Sequence, residues 1–194
     1  ISNYVSELVK KGKSPHFPLS YGYYLCNTVE FIGRGVFKEA GDWERVKRGK
    51  GIIQVTEYTG IGYHKFIEMG PSAEEISASI AQVLIAINVM QKSGLRHNDM
   101  YFTNITMKKV ERPTVFKYKV NEKEYRIEAK RYYPIIIDFG QSERVSKKTK
   151  ESGDIFQFLS EFSIDDDGTR PRLNEKGIPE ISVNVPNPVR KTVS

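Results

Sequence analysis

The most regular apolar pattern in the chain runs from residue 72 to residue 93. Ile76, Ile80, Val83, Leu84, Ile87 and Met90 recur close to the helical period, which predicts an amphipathic helix. Ser72 and Glu75 give that helix a capping box, and Gly94 gives it a stop. A shorter helix is predicted over residues 2 to 10, where Tyr4, Val5, Leu8 and Val9 share a face and Gly12 follows as a stop. Ser14-Pro15-His16-Phe17-Pro18 then breaks the pattern, and His16 reads as a packed or capping histidine. Tyr21 to Leu25 reads as a strand. Gly51 to Tyr58, rich in β-branched residues, reads as a buried strand that Thr59-Gly60-Ile61-Gly62 ends. Ile105-Thr106-Met107 predicts a short strand. Residues 115 to 132 alternate apolar and charged side chains (Val115, Phe116, Tyr118, Val120, Tyr125, Ile127), a hairpin pattern that turns at Asn121 and Glu122. Asp154 to Leu159 reads as a buried helix. The tail from Pro179 to Ser194 is Pro-rich and aperiodic, as an irregular surface segment would be.

Composition narrows this picture only modestly. The 194 residues suffice for one domain with a substantial core, and 39% hydrophobic with 28% charged residues is ordinary for a globular chain. A lone cysteine, Cys26, excludes an internal disulfide and suits a reducing, intracellular compartment. No apolar run is expected to span a bilayer, and the first residues lack the basic start and apolar core of a signal peptide. The chain begins with Ile1 rather than Met, as a piece excised from a longer protein would. The net charge of +6 concentrates at Arg45, Lys47, Arg48 and Lys50 and again at Arg144, Lys147, Lys148 and Lys150. Solvated surface is the plain reading of both clusters, and a phosphate-rich ligand or acidic substrate would also suit them. Nucleic acid is not indicated, because no zinc-finger spacing, RNA-binding aromatic signature or recognition-helix pattern accompanies the charge.

Candidate chemistry lies between His97 and Gly140. His97-Asn98-Asp99-Met100-Tyr101-Phe102-Thr103-Asn104 follows H-x-D-x-x-x-x-N, and Ile135-Ile136-Ile137-Asp138-Phe139-Gly140 ends in D-F-G. The long helix leads directly into the first motif, and an apolar strand leads into the second. Together they resemble the catalytic loop and metal-binding loop of the protein-kinase fold. The resemblance covers roughly residues 1 to 165 and is specific at the two motifs. It implies an α+β, protein-kinase-like fold, mostly the helical large lobe with a remnant of the small-lobe sheet. Residues 1–60 would be a partial small lobe, with the end of helix C, strands 4 and 5 and the hinge. Residues 61–194 would be the large lobe. The function implied is transfer of the ATP γ-phosphoryl group to a hydroxyl, most simply a Ser/Thr hydroxyl of a protein substrate, with ATP and Mg²⁺ as cofactors. In that chemistry Asp99 orients the attacking hydroxyl and takes its proton, while Asn104 and Asp138 hold the metal. Gly140 would let the backbone turn sharply after the metal ligand. Thr56 falls at the gatekeeper position, and Glu57, Tyr58 and Thr59 would present backbone groups to the adenine. Asp154 resembles the helix-F aspartate that braces the catalytic-loop backbone, and His97 and Phe139 read as packing residues.

The sequence also departs from the family pattern. Asn98 replaces the arginine that reads an activation-loop phosphate, and Tyr101 stands where Ser/Thr kinases carry lysine. The segment from Gly140 to Asp154 is short and lacks A-P-E. Kinases of the haspin type and small-molecule kinases of the aminoglycoside-phosphotransferase type share that shortening. Phe31-Ile32-Gly33-Arg34-Gly35-Val36-Phe37 mimics a glycine-rich loop, but no V-A-I-K strand follows it, so it reads as a surface loop with Trp43 as its anchor. Glu7 could be the helix-C glutamate, or that residue could lie upstream of Ile1. Asp165-Asp166-Asp167-Gly168 lacks the later ligands of a calcium loop and reads as a turn. The inserted hairpin and the Ser14–Pro18 turn make the pattern most similar to kinase-like proteins of large DNA viruses, for which host cytoplasm or virion would be the setting. Two alternatives stay open: a small-molecule kinase of the same fold, and a non-catalytic pseudokinase acting as a binding module. Substrate identity and oligomeric state are not legible.

Overall fold

The computed structural model describes residues 1–26, 51–145 and 153–162. The architecture is mixed α+β, with several helices and small antiparallel sheets. In chain order the elements are α1 (Ser2–Lys10), β1 (Ser20–Cys26), β2 (Gly51–Thr56), β3 (Ile61–Gly62), α2 (Tyr63–Glu68), α3 (Ala73–Lys92) and β4 (Leu95–Arg96). A 3₁₀ turn over Phe102–Asn104 leads into β5 (Ile105–Lys109), followed by β6 (Thr114–Val120), β7 (Lys123–Ala129) and β8 (Tyr132–Ile136). A second 3₁₀ turn, Phe139–Gln141, precedes β9 (Glu143–Arg144), and α4 (Gly153–Ser160) is the last described element.

Helix α3 is the spine. Ser72 accepts from the Glu75 N–H (3.2 Å) while the Glu75 carboxylate accepts from the Ser72 N–H (3.0 Å), the reciprocal cap expected from sequence. The helix is rotated from its apolar pattern, however. Its fully buried positions are Ser79, Gln82, Val83, Ala86, Ile87 and Met90, with Ile80 and Leu84 only partly covered. The polar pair is inside because each has a buried hydroxyl partner: Tyr63 for Ser79 (2.7 Å) and Tyr118 for Gln82 (3.1 Å). By length and composition alone, Ala73–Lys92 is also apolar enough to cross a membrane, contrary to the expectation that no run reaches that length. Its packing against β4, β7, β8 and α4 accounts for the apolar residues as core.

Strands β3, β5 and β8 form an antiparallel sheet in that order, with Ile105 opposite Ile136 and Met107 opposite Pro134. Pro134 is tolerated because β8 lies at the sheet edge. Gly60, at φ 94°, leads into β3 where a Cβ would come within 2.2 Å of the Met107 carbonyl oxygen, so no larger residue fits. Beneath this sheet Tyr63, Phe66, Phe102, Phe158 and Phe162 cluster, with ring centroids 4.6 Å apart for Tyr63–Phe102 and 4.7 Å for Phe102–Phe162. Burial pushes the Tyr63 hydroxyl up to about 12. Of α4, Phe158 is buried, whereas Ile155 and Phe156 are partly exposed, so only one face meets the expectation of a buried helix.

The β6–β7 hairpin turns at Asn121 and Glu122 as expected, both with positive φ (47° and 67°). It docks through one buried polar chain. Gln82 Nε2 donates to the Tyr118 hydroxyl (3.1 Å), which meets His16 Nε2 (2.8 Å), and His16 Nδ1 meets the Pro134 carbonyl (2.7 Å). A carbonyl only accepts, so Nδ1 carries the proton and the Tyr118 hydroxyl donates to Nε2. His16 is thus the packed histidine of the sequence reading, and burial drives it down to about 4.

Strands β1 and β2 form a separate antiparallel ribbon. The expectation of a buried strand at Gly51–Tyr58 fails here. Pairing stops at Thr56, and Tyr23, Leu25 and Ile52 are 60%, 74% and 70% exposed. A β-branched run reports strand propensity, not what covers it. The glycine-containing loop at 31–37, Trp43, the basic residues Arg45 to Lys50 and Lys147 to Lys150, the Asp165–Gly168 turn and the Pro-rich tail all lie outside the described residues.

Candidate active site

The loop from His97 to Asn104 starts where β4 pairs with β9, Leu95 opposite Arg144 and Arg96 opposite Glu143. Beyond β4 it has no ladder partner, so its N–H groups need other acceptors. Those come from one face of α4 and the turn after it. Asp154, only 1% exposed, accepts from the N–H of His97 (3.0 Å) and of Asn98 (2.8 Å). Gln157 Oε1 accepts from Met100 N–H (3.0 Å) and Glu161 Oε2 from Phe102 N–H (3.2 Å). The spacing of these acceptors, i, i+3 and i+7, puts them on one helical stripe. Sequence reasoning found Asp154 but missed Gln157 and Glu161. The available signal was that stripe of polar residues on an otherwise apolar helix.

Inside the loop, Asn104 is buried and its Nδ2 donates to both the backbone carbonyl (2.8 Å) and Oδ2 (2.6 Å) of Asp99. This turns the half-buried Asp99 carboxylate into a fixed element and leaves Asn104 Oδ1 outside those two bonds. Asn98 takes φ 64°, a conformation asparagine tolerates, and its Nδ2 reaches the Gln141 carbonyl (3.2 Å).

The second motif is laced to the first. Ile137 N–H donates to the Asn104 carbonyl (2.9 Å), and its own carbonyl accepts from His97 Nε2 (2.9 Å). His97 is therefore the Nε2–H tautomer, and its buried Nδ1 has no partner among the described residues. Burial holds His97 below its ordinary range, against the opposing pull of the Ile137 carbonyl and of Asp154, Asp99 and Asp138 nearby. Phe139 is buried against His97 (5.0 Å) and Phe17 (6.2 Å), which matches the packing role expected of both motif residues. The sharp turn falls at Asp138, two residues earlier than expected. Asp138, at φ 58° and ψ 73°, takes the left-handed conformation, and Gly140 has no positive φ. What glycine supplies at 140 is clearance, since a Cβ there would lie 3.1 Å from Asp138 Oδ1, the atom that accepts from its own N–H (3.2 Å).

Asp138 is exposed to a cleft of about 470 Å³ that is also lined by Ser20, Gln54, Thr56, Glu57 and Thr59. Thr56, expected at the gatekeeper, and Glu57 and Thr59, two of the three expected hinge positions, therefore share a wall with Asp138. Tyr58 does not; it points outward at 82% exposure. Asp99 and Asn104 do not line this cleft and connect to it through Ile137. Glu57 is a clamp as well as a backbone position. Its N–H donates to Leu19 O (2.8 Å), and its carboxylate accepts from Leu19 N–H (3.0 Å) and pairs with the Lys108 ammonium. Its N–H is thus committed, which leaves its carbonyl and the groups of Thr59 for any ligand. No protein-family model matches the chain, and no curated protein matches it either.

Proposed function

We propose that the chain is an ATP-dependent phosphotransferase of protein-kinase-like fold that transfers the γ-phosphoryl group to a hydroxyl, with a Ser/Thr hydroxyl of a protein as its acceptor. The observation that carries this reading is the Asp99–Asn104 pair, fixed at 2.6 Å and tied through Ile137 to Asp138 at the mouth of a cleft. Phosphoryl transfer demands positioning and charge neutralisation more than covalent chemistry from the protein. Asp99 can accept a hydrogen bond from an incoming hydroxyl on its remaining lone pairs and receive its proton as the new P–O bond forms and the bond from the γ-phosphorus to the bridging oxygen breaks, releasing ADP. The Glu57 carbonyl and the backbone of Thr59, both on the cleft wall, are the groups that would meet a purine.

The donor set suits Mg²⁺. Asp138 and the Asn104 amide oxygen would hold it, one carboxylate and one neutral oxygen, with phosphate and water completing the shell. When bound, the ion would supply positive charge against the phosphate oxygens.

A second reading, a non-catalytic binding module, has one observation in its favour. The described lining of the cleft contains no lysine or arginine to meet a triphosphate. One assay separates the readings. The full-length chain is incubated with Mg-ATP and Ser/Thr peptides, then with small alcohols. Peptide labelling should appear and should fall by roughly 10²–10⁴-fold in Asp99→Asn. Labelling of small alcohols alone would reassign the acceptor, and absence of Mg-ATP binding would leave only the binding module.

A further inference from the structure

A second cavity, of about 500 Å³, shares no lining residue with the first. It lies where the turn after α1, the end of α3 and strand β9 meet. Each of these brings a cation: Lys13, Lys92 and Arg144. No acidic side chain lines it, and none of the three cations has a carboxylate partner among the described residues. The nearest acids in sequence are engaged elsewhere, Glu143 toward Arg96 (3.8 Å) and Glu7 with Lys10 (3.0 Å).

Cations at a helix C-terminus ordinarily serve its carbonyls and dipole. Here neutral donors do that work. The Tyr4 hydroxyl caps the Ser93 carbonyl (2.9 Å), and the Val145 N–H caps that of Gly94 (2.9 Å). The Arg144 guanidinium instead lies over the Tyr4 ring, 5.1 Å from its centroid, and Lys92 Nζ donates to the neutral Asn121 amide (2.9 Å). Among the described residues this positive charge has no acidic partner, and the guanidinium rests on an aromatic face.

We infer that this cavity is an oxyanion site for a compact phosphate group, either inorganic phosphate or a phosphate monoester. A guanidinium and two ammonium groups around one cavity suit the charge of a phosphate dianion. All three cations are solvent-exposed, so a phosphate carried on a larger molecule can reach them as readily as the free ion. The site uses neither Asp99 nor Asp138 and is independent of the phosphotransfer reading.

The test titrates the full chain with inorganic phosphate and with phenyl phosphate, ionic strength held constant with NaCl, and follows the amide resonances of Gly94 and Val145. Saturable shifts at those amides are expected. Lys13→Gln, Lys92→Gln and Arg144→Gln should each weaken binding roughly fivefold, with Lys92→Arg retaining it. Tighter binding of phenyl phosphate would identify the monoester as the ligand, and equal binding the free ion; both uphold the site. NaCl reproducing the shifts would overturn it. So would unchanged binding in the single Gln variants with native circular dichroism, or displacement of phosphate by a DNA duplex that binds far more tightly.

Discussion

The β1–β2 ribbon and the His97–Asn104 loop invert the usual relation between polarity and burial. The ribbon's side chains are apolar and face solvent, as at Tyr23, Leu25 and Ile52. The loop buries polar side chains, as at His97 and Asn104. The difference follows from where each backbone finds its hydrogen bonds. The ribbon satisfies its own N–H and C=O groups by pairing strand to strand. The loop has no partner strand, so Asp154, Gln157 and Glu161 must accept its N–H groups and Asn104 must brace its carboxylate. A segment that pairs with itself tolerates change in its side chains. A segment that borrows acceptors depends on each lender.

Asp154→Ala is the hardest test of that contrast. It strands two buried N–H groups, and at roughly 1–3 kcal/mol for each the loss should be about 3–4 kcal/mol, read as a fall in urea midpoint. Asp154→Asn keeps one acceptor oxygen and should lose about half as much. A loss under about 1 kcal/mol in the alanine variant would show that the loop does not depend on the carboxylate.

The next effect concerns the other buried polar chain, Gln82–Tyr118–His16–Pro134. Burial lowers His16 to about 4 in the folded protein from its ordinary 6.5. Above pH 6.5 the imidazole is neutral in both states and its contribution to stability is complete. As pH falls from 6.5 to 4 only the unfolded chain takes up the proton, so stability drops, by about 3 kcal/mol in total, and then levels off with respect to this group. Burial shifts His97 in the same direction, so it adds to the slope. Urea midpoints between pH 7 and 4 should show the loss, and His16→Gln should flatten it. An equal slope in wild type and variant would remove His16 from the account.

How far the sequence discloses all this depends on the kind of bond involved. The capping box of α3, the hairpin turning at Asn121-Glu122 and the two motifs are local, and each could be read within a few residues. The burial of β2 could not, since a run such as Ile52-Ile53 says strand without saying what faces it. Ser79 and Gln82 stand outside the apolar pattern of α3, and nothing local marks them as buried, because their partners, Tyr63 and Tyr118, are 16 and 36 residues away. At the site, Asp99, Asn104 and Asp138 were legible as a pattern. Gln157 and Glu161 were not, because accepting a backbone N–H more than 50 residues distant leaves no spacing signature on the loop itself.

The β6–β7 hairpin, a second self-paired ribbon, sharpens the comparison at smaller scale. Glu122 sits at φ 67°, where a β-carbon is strained. Glu122→Gly should raise stability by about 0.5–1 kcal/mol, seen as a higher urea midpoint, because relief of the strain exceeds the added chain entropy of glycine.

The smallest effect is expected on the β1–β2 ribbon itself. Leu25→Ser and Ile52→Ser remove apolar groups that remain 74% and 70% exposed, so little transfer free energy is at stake. Each should change stability by less than about 0.5 kcal/mol, the range of ordinary surface substitutions, with the urea m-value unchanged. Serine leaves every ladder hydrogen bond in place, so the pair isolates side-chain burial from backbone pairing. A loss of about 2 kcal/mol in either variant would mean that these side chains are covered in solution, and the ribbon would then belong with the loop as a segment that leans on a neighbour.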